Sequence, residues 1–319
     1  MNYIILIVGF ALLIKGADIF VGGASAVAKK IGIPPVIVGL TIVSIGTSAP
    51  ELAVSIISAL KGNNEIAIGN VLGSNLFNIL MVLGVTTMVL PMIVKKEKIK
   101  ADFSINIFLT VLLFVLTFDS IFGSANNIIS RTDGLILVII CIAYIGFLIF
   151  KAKKTNMPNP TEEEKNINVL GKIVSIIIGA IGIVLGGQLV VDSATNIAYS
   201  IGMSEKLVGL TIVAMGTSLP ELVTSVVAAV KGEEDIALGN ILGSNIFNIL
   251  LIIGSSSLIT PISVARTLIV DFIFLTAVSV FVFGLIFFNK KQEKKLSRVE
   301  GAILVALYAG YIIYIICRN

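Results

Sequence analysis

The sequence predicts an all-α polytopic membrane protein, with ten transmembrane helices arranged as two inverted five-helix repeats. Three observations lead there. First, 56% of the 319 residues are hydrophobic and 13% are charged, against roughly 25% charged in soluble domains. The mean hydropathy is +1.05, and the apolar runs recur along the whole chain instead of gathering into one core. Second, the stretch Gly39–Gly84 returns as Gly209–Gly254, with 28 of 46 positions identical. The identities are mostly Gly, Pro, Glu, Asn, Ser and Thr, which a merely apolar stretch would not keep. Third, each copy sets a carboxylate, Glu51 or Glu221, deep inside an apolar run. A membrane β-barrel would alternate polar and apolar residues in short strands, which these unbroken runs do not.

The expected spans lie near 3–29, 35–60, 66–92, 103–122 and 133–150, then 169–200, 206–230, 236–260, 267–289 and 299–317. The first contains an apolar run, Ile4–Ile14, and a small-residue triplet, Ala24-Ser25-Ala26, that together imitate a signal peptide. It is read as structure, because Met-Asn-Tyr is no positive leader and Ile173–Ile201 holds the corresponding place before the second repeat. The second and third spans carry the first copy of the repeat (39–84), and the seventh and eighth carry the other (209–254). The remaining spans are plain apolar runs long enough to cross a bilayer. Residues 151–168, KAKKTNMPNPTEEEKNIN, form a hydrophilic linker between a first half (1–150) and a second (169–319). It is too short for a soluble regulatory domain.

Five spans per half is an odd number, so the second half must start on the opposite side of the membrane from the first. Such halves are inverted about an axis in the membrane plane, and transporters built this way place their site at the repeat interface. Orientation follows from basic residues. With both termini outside, the cytoplasmic connections hold seventeen Lys and Arg and the outer side five. The expected setting is therefore a multi-pass protein of the cell membrane, N- and C-termini outside, with the lipid bilayer as its main partner. It is expected to be monomeric and to bind no nucleic acid. Histidine and tryptophan are absent, which excludes an imidazole relay or a histidine metal site. Cys141 and Cys317 sit in apolar runs and are expected as buried packing residues.

The chemistry concentrates in Gly46-Thr47-Ser48-Ala49-Pro50-Glu51 and its counterpart Gly216-Thr217-Ser218-Leu219-Pro220-Glu221. Proline lacks an N–H and clashes with the carbonyl four residues back, at Gly46 or Gly216, loosening the neighbouring threonine carbonyl as well. In lipid a freed carbonyl needs a partner, and a cation is one. Thr47 and Ser48 lie four and three residues before Glu51, so one helical turn gathers all three on a face; Thr217, Ser218 and Glu221 repeat the pattern. A charge in mid-membrane costs at least about 2.5–3.5 kcal/mol and is rare without a role. Two facing carboxylates repel unless a cation holds both ionised. Carboxylates, carbonyls and hydroxyls suit a hard cation such as Ca²⁺, and no soft ligand is offered for copper or zinc. A structural or proton-carrying glutamate is the plainer alternative.

The following span supplies Gly69–Asn78, matched by Gly239–Asn248. Gly69 and Gly73, like Gly239 and Gly243, form GxxxG pairs that let another backbone approach. Ser74 and Asn78 share a helical face, as do Ser244 and Asn248, and their oxygens are placed to complete a ligand shell. For Asn70, Asn75, Asn240 and Asn245, interhelical hydrogen bonding is an equal reading.

GTSAPE with GSNLFN, and GTSLPE with GSNIFN, resemble the two alpha repeats of the cation/calcium antiporter superfamily, most closely its sodium/calcium exchanger branch. The resemblance covers both halves. It implies a ten-helix membrane transporter, not an enzyme, that needs no cofactor and exchanges Na⁺ for Ca²⁺. It also implies that Glu51 and Glu221 hold Ca²⁺ with the carbonyls of Thr47 and Thr217. Sodium sites would share those glutamates and add Ser48, Ser218, Ser74 and Ser244, the carbonyls of Ser44 and Ala214, and Asn78. Some relatives carry Asp where this chain has Asn248, including potassium-dependent ones, so Asn248 argues against a potassium requirement and leaves a pocket charge of −2. Exchange of three Na⁺ for one Ca²⁺, as in the family, would then be electrogenic. A proton/calcium exchanger of the same fold is the near alternative. A passive cation channel is one of another class, and an intramembrane hydrolase is remote, since the sequence offers no obvious nucleophile or substrate cleft and inverted symmetry gives such chemistry no reason to be duplicated.

Outside the motifs, Asp18 is expected to pair with Lys15. The Gly-rich first and sixth spans are expected to slide as a pair against the rest. The basic linkers Lys95–Lys100 and Lys290–Arg298 are expected to face anionic lipid.

Overall fold

A computed structural model describes residues 2–61, 65–118, 127–155, 161, 164, 166–203, 214–288 and 292–318. The chain opens with α1 (Asn2–Ile31), a single helix of 30 residues, about 45 Å long and so longer than the hydrocarbon core it crosses. α2 (Pro35–Thr47) and α3 (Ala49–Leu60) form one line bent by 48° at Ser48. The bend is where Pro50, near the start of α3, forbids a continuous helix. Next come α4 (Ala67–Val89), α5 (Lys96–Thr117), α6 (Arg131–Lys154) and α7 (Val169–Ser200). The chain continues with α8 (Ala214–Gly216), α9 (Leu219–Val230), α10 (Glu234–Ile259), α11 (Ile269–Phe287) and α12 (Arg298–Arg318).

Among the described residues, eight helices are long and apolar enough to cross a membrane, or nine if α2 and α3 count as one bent span. This is a multi-pass helical membrane protein. The expected span 206–230 is described only from Ala214; residues 204–213 lie outside the described part. Two expected boundaries move outward. α5 begins at Lys96 and α6 runs to Lys154, because the lysines at these ends are tied down within the fold. Lys151 Nζ reaches Asp102 Oδ2 at 2.7 Å, and Lys98 pairs with Asp235.

Two short antiparallel ribbons, not anticipated in an all-α chain, tie connections together. β1 (Ile93–Lys95) pairs with β4 (Glu293–Lys295), and β2 (Ile128–Ile129) pairs with β3 (Ile262–Ser263). They satisfy backbone groups that short loops would otherwise leave bare at the membrane edge. The first ribbon marks one face of the molecule. There Ile93 N donates to Glu234 Oε2 (2.7 Å), Lys29 Nζ meets Glu233 Oε1 (2.8 Å), and Lys151 Nζ reaches Lys98 O (3.1 Å). The second ribbon lies at the far ends of the same helices, where Arg131 Nη2 donates to Ile259 O (3.1 Å) and Thr260 Oγ1 to Ala59 O (3.1 Å).

α10 and α4 are the centre of the bundle. Over their most apolar 18 residues they are 94% and 72% buried, against 17–39% for the other membrane-length helices. α1 and α7 cross backbone to backbone: a Cβ on Gly16 would lie 2.7 Å from Ile183 N, and one on Gly179 2.6 Å from Phe20 N. The second GxxxG pair behaves as expected, since a Cβ on Gly239 or Gly243 would meet Leu40 backbone atoms of α2 at 2.8 Å. No described atom stands within 4 Å of such a Cβ at Gly69 or Gly73; residues 209–213, counterparts of Gly39–Val43, are outside the described part.

Candidate ion-binding site

Each glutamate sits in the first turn of a helix that starts after a break. Glu51 is the third residue of α3 and Glu221 the third of α9. The positive end of a helix dipole favours an anion there. Both side chains are 1% exposed, so neither carboxylate is served by bulk water.

The contacts cross between the copies. Ser48 Oγ, at the α2–α3 break, donates to Glu221 Oε1 at 2.7 Å. Ser218 Oγ, at the α8–α9 break, donates to Glu51 Oε1 at 3.0 Å and lies 3.0 Å from Ser74 Oγ of α4. Ser244 Oγ of α10 is 3.4 Å from Glu221 Oε1. Thr47 Oγ1 donates to Asn240 Oδ1 (3.0 Å), and Thr217 Oγ1 to Asn70 Oδ1 (3.4 Å). Asn240 and Asn70 in turn donate to Ser225 (2.9 Å) and Ser55 (3.3 Å). Those two asparagines thus take the interhelical reading: they hold the broken helices against α4 and α10.

Asn78 and Asn248 behave otherwise. Each spends its amide nitrogen on the opposite helix, Asn78 Nδ2 to Asn245 Oδ1 (3.1 Å) and Asn248 Nδ2 to Asn75 Oδ1 (3.0 Å). Their amide oxygens have no hydrogen-bond partner, and neither do Glu51 Oε2 and Glu221 Oε2. Of the ten buried side-chain atoms left without a partner among the described residues, these four are acceptors on predicted site residues. Buried polar atoms are normally paired, and an unpaired one is costly.

α4 and α10 loosen here. Phe77–Val82 and Asn248–Ile253 are π-helical turns, a distortion that collects at functional sites and that the sequence did not reveal. Ser44 Oγ donates to Thr41 O (3.2 Å). The Ser44 carbonyl, expected as a ligand, accepts from Ser48 N (2.9 Å) and lies 3.3 Å from Thr47 Oγ1, whose one hydrogen goes to Asn240 at the shorter distance. Ala214 opens α8 at the matching position in the second copy. Among the described residues no three His, Cys, Asp or Glu side chains cluster as a metal site. The charge at the centre comes from two carboxylates, the rest being neutral oxygen.

Two buried acids escaped the sequence reading. Asp102 accepts from Tyr144 Oη (3.2 Å) and Lys151 Nζ (2.7 Å). Asp271 accepts from Tyr311 Oη (3.0 Å) and Arg318 Nη1 (2.7 Å). The signal was present: a Tyr and a cation seven residues apart on the last helix of each half, facing an Asp on the helix before it. Asp18 pairs with Lys15 (2.9 Å), as expected, and also with Lys231 (2.7 Å). Both cysteines are free; Cys141 is buried, but Cys317 is exposed, since α12 packs by one face only.

Comparison with known proteins follows the same lines. The family model described as sodium/calcium exchanger protein matches residues 1–150 and 171–317. The chain is 37% identical over 316 residues to a putative antiporter, CaxA, of Alkalimonas amylolytica, covering 97% of this chain and 96% of that one. It is 33% identical over 344 residues to the sodium/calcium exchanger MaX1 of Methanosarcina acetivorans, covering 98% and 97%. Its fold superposes on the solved sodium/calcium exchanger from Methanococcus jannaschii with a TM-score of 0.81, at 29% identity over 98% of this chain and 97% of that one.

Proposed function

Because the chain belongs to the sodium/calcium exchanger protein family, a family of transporters and not of enzymes, we propose that it exchanges Na⁺ for Ca²⁺ by alternating access at one site shared between Glu51 and Glu221. The observation that carries this reading is the set of four unpaired buried oxygens, Glu51 Oε2, Glu221 Oε2, Asn78 Oδ1 and Asn248 Oδ1. Carboxylate and amide oxygens are the donors a hard cation takes. Thr47, Thr217, Ser48, Ser218, Ser74, Ser244, Ser44 and Ala214 complete the proposed ligand set through hydroxyls and carbonyls.

Shared ligands make occupancy exclusive, and exclusive occupancy couples the two fluxes. Ca²⁺ neutralises the two carboxylates, whereas three Na⁺ leave one positive charge, so the cycle carries current. The bundle is read as ten spans in two inverted halves, 1–150 and 169–319, joined by the linker 151–168. The crossed pairs Ser48–Glu221 and Ser218–Glu51 support this, as does the recurrence of the Asp–Tyr–cation trio in the last two helices of each half. Gathering of the expected cytoplasmic connections on the β1–β4 face supports both termini lying outside.

The test is ⁴⁵Ca²⁺ uptake into proteoliposomes under separate Na⁺, K⁺ and H⁺ gradients. Uptake follows the Na⁺ gradient and falls to background in E51Q. Uptake driven by the pH gradient alone makes the protein a proton/calcium exchanger, uptake with no counter-ion gradient makes it a channel, and undiminished uptake in E51Q overturns the site.

A further inference from the structure

Four of the six asparagines of α4 and α10, namely Asn75, Asn78, Asn245 and Asn248, form a closed set of contacts. Asn75 Nδ2 donates to Asn245 O at 3.3 Å, and Asn245 Nδ2 to Asn75 O at 3.5 Å. With both nitrogens so committed, the side-chain oxygens of Asn75 and Asn245 face the remaining two residues. Asn75 Oδ1 accepts from Asn248 Nδ2 (3.0 Å), and Asn245 Oδ1 accepts from Asn78 Nδ2 (3.1 Å). All four residues are 1% exposed or less.

An asparagine amide has an oxygen face and an NH₂ face of nearly the same shape, and its neighbours decide which way it points. Turning Asn248 over would set its oxygen against Asn75 Oδ1, acceptor on acceptor, and present NH₂ at the place where Asn248 Oδ1 now stands unpaired. The same holds for Asn78 against Asn245. A cation is attracted by the first face and repelled by the second.

We infer that Asn75 and Asn245 are positioning residues that fix the amide orientation of Asn248 and Asn78, so that the ion meets oxygen on both. The inference rests on the proposed cation site. Neither residue is assigned to touch the ion; each acts through a partner on the opposite helix, and the pairing is crossed: Asn75 with Asn248, Asn245 with Asn78. Each copy of the repeat thereby orients a ligand of the other. The arrangement also explains why two asparagines stand three residues apart in each GSN motif: one is a ligand, and the other orients the ligand across the interface.

The experiment measures apparent Ca²⁺ affinity by ⁴⁵Ca²⁺ binding to the purified full-length protein in single and double variants. N75A and N245A each weaken binding about five- to tenfold, the factor that one net hydrogen bond governs. Coupling is expected between the members of a pair and absent otherwise. N75A therefore adds less than about twofold in the N248A background but its full factor in the N78A background, and N245A does the reverse. N75D, which keeps an acceptor for Asn248 Nδ2 while losing the donor to Asn245 O, binds Ca²⁺ no more weakly than the unaltered protein. It serves equally if N75A does not fold.

Losses that add in every background, or N75D as impaired as N75A, would show that Asn75 and Asn245 merely hold the helices together, and would overturn the inference. If N78A and N248A themselves leave Ca²⁺ binding unchanged, the ligand reading of those two asparagines falls, and the positioning role with it.

Discussion

At the residue scale the glutamates were the most legible part of the chain. Glu51 and Glu221 stand out in sequence because a carboxylate in an apolar run is expensive, and the repeat offers the same neighbours twice. Both are buried beside the predicted serines. The division of labour among the asparagines was not legible. Asn70 and Asn75 look alike in a one-dimensional pattern, and only the opposite copy decides which nitrogen is spent and which oxygen is left. Asp102 was missed for a related reason. It lies near the polar start of α5, where an acid reads as solvated, yet its side chain is 0% exposed because Lys151 folds in to meet it. Removing the lysine alone would strand a buried charge, which costs about 3–5 kcal/mol, whereas replacing both partners by neutral residues costs far less. K151M should therefore lower the thermal unfolding midpoint in detergent markedly, and D102N/K151M should recover most of it. Equal losses in the two variants would mean that the pair contributes nothing as a pair.

At the scale of elements, most helices were readable from length and apolarity, and the break in the second span from its proline, seen as the 48° bend at Ser48. The π-helical turns at Phe77–Val82 and Asn248–Ile253 were not readable. They insert no proline or glycine signal, and they follow from what the helix must meet across the interface, not from local propensity. The two ribbons were missed because strands of two or three residues leave no periodicity to find. The glycine seam of α1 and α7 was legible as composition. The structure adds that Gly16 and Gly179 face the partner helix's backbone directly, while the Val190 and Ile176 side chains reach Gly9 and Gly23, a contact that joins α1 and α7 to each other.

For the whole molecule, the odd number of expected spans per half is the step from pattern to architecture. The contacts gather Lys29, Ile93, Lys98 and Lys151 near one ribbon and Arg131 and Thr260 near the other, so the two sets of connections lie on opposite faces. With Cys141 and Cys317 replaced, a single cysteine at Arg131 should react with a membrane-impermeant thiol reagent added to intact cells, and one at Lys153 should not. The opposite pattern would invert the proposed orientation. The account as a whole stands on one pocket serving two ions. Its most direct measurement is ⁴⁵Ca²⁺ binding to the purified protein at rising Na⁺, repeated in E51Q and E221Q. Na⁺ should displace all of the bound Ca²⁺ competitively, and either substitution alone should abolish Ca²⁺ binding; Ca²⁺ that stays bound at saturating Na⁺, or that binds normally to either variant, would contradict a shared site.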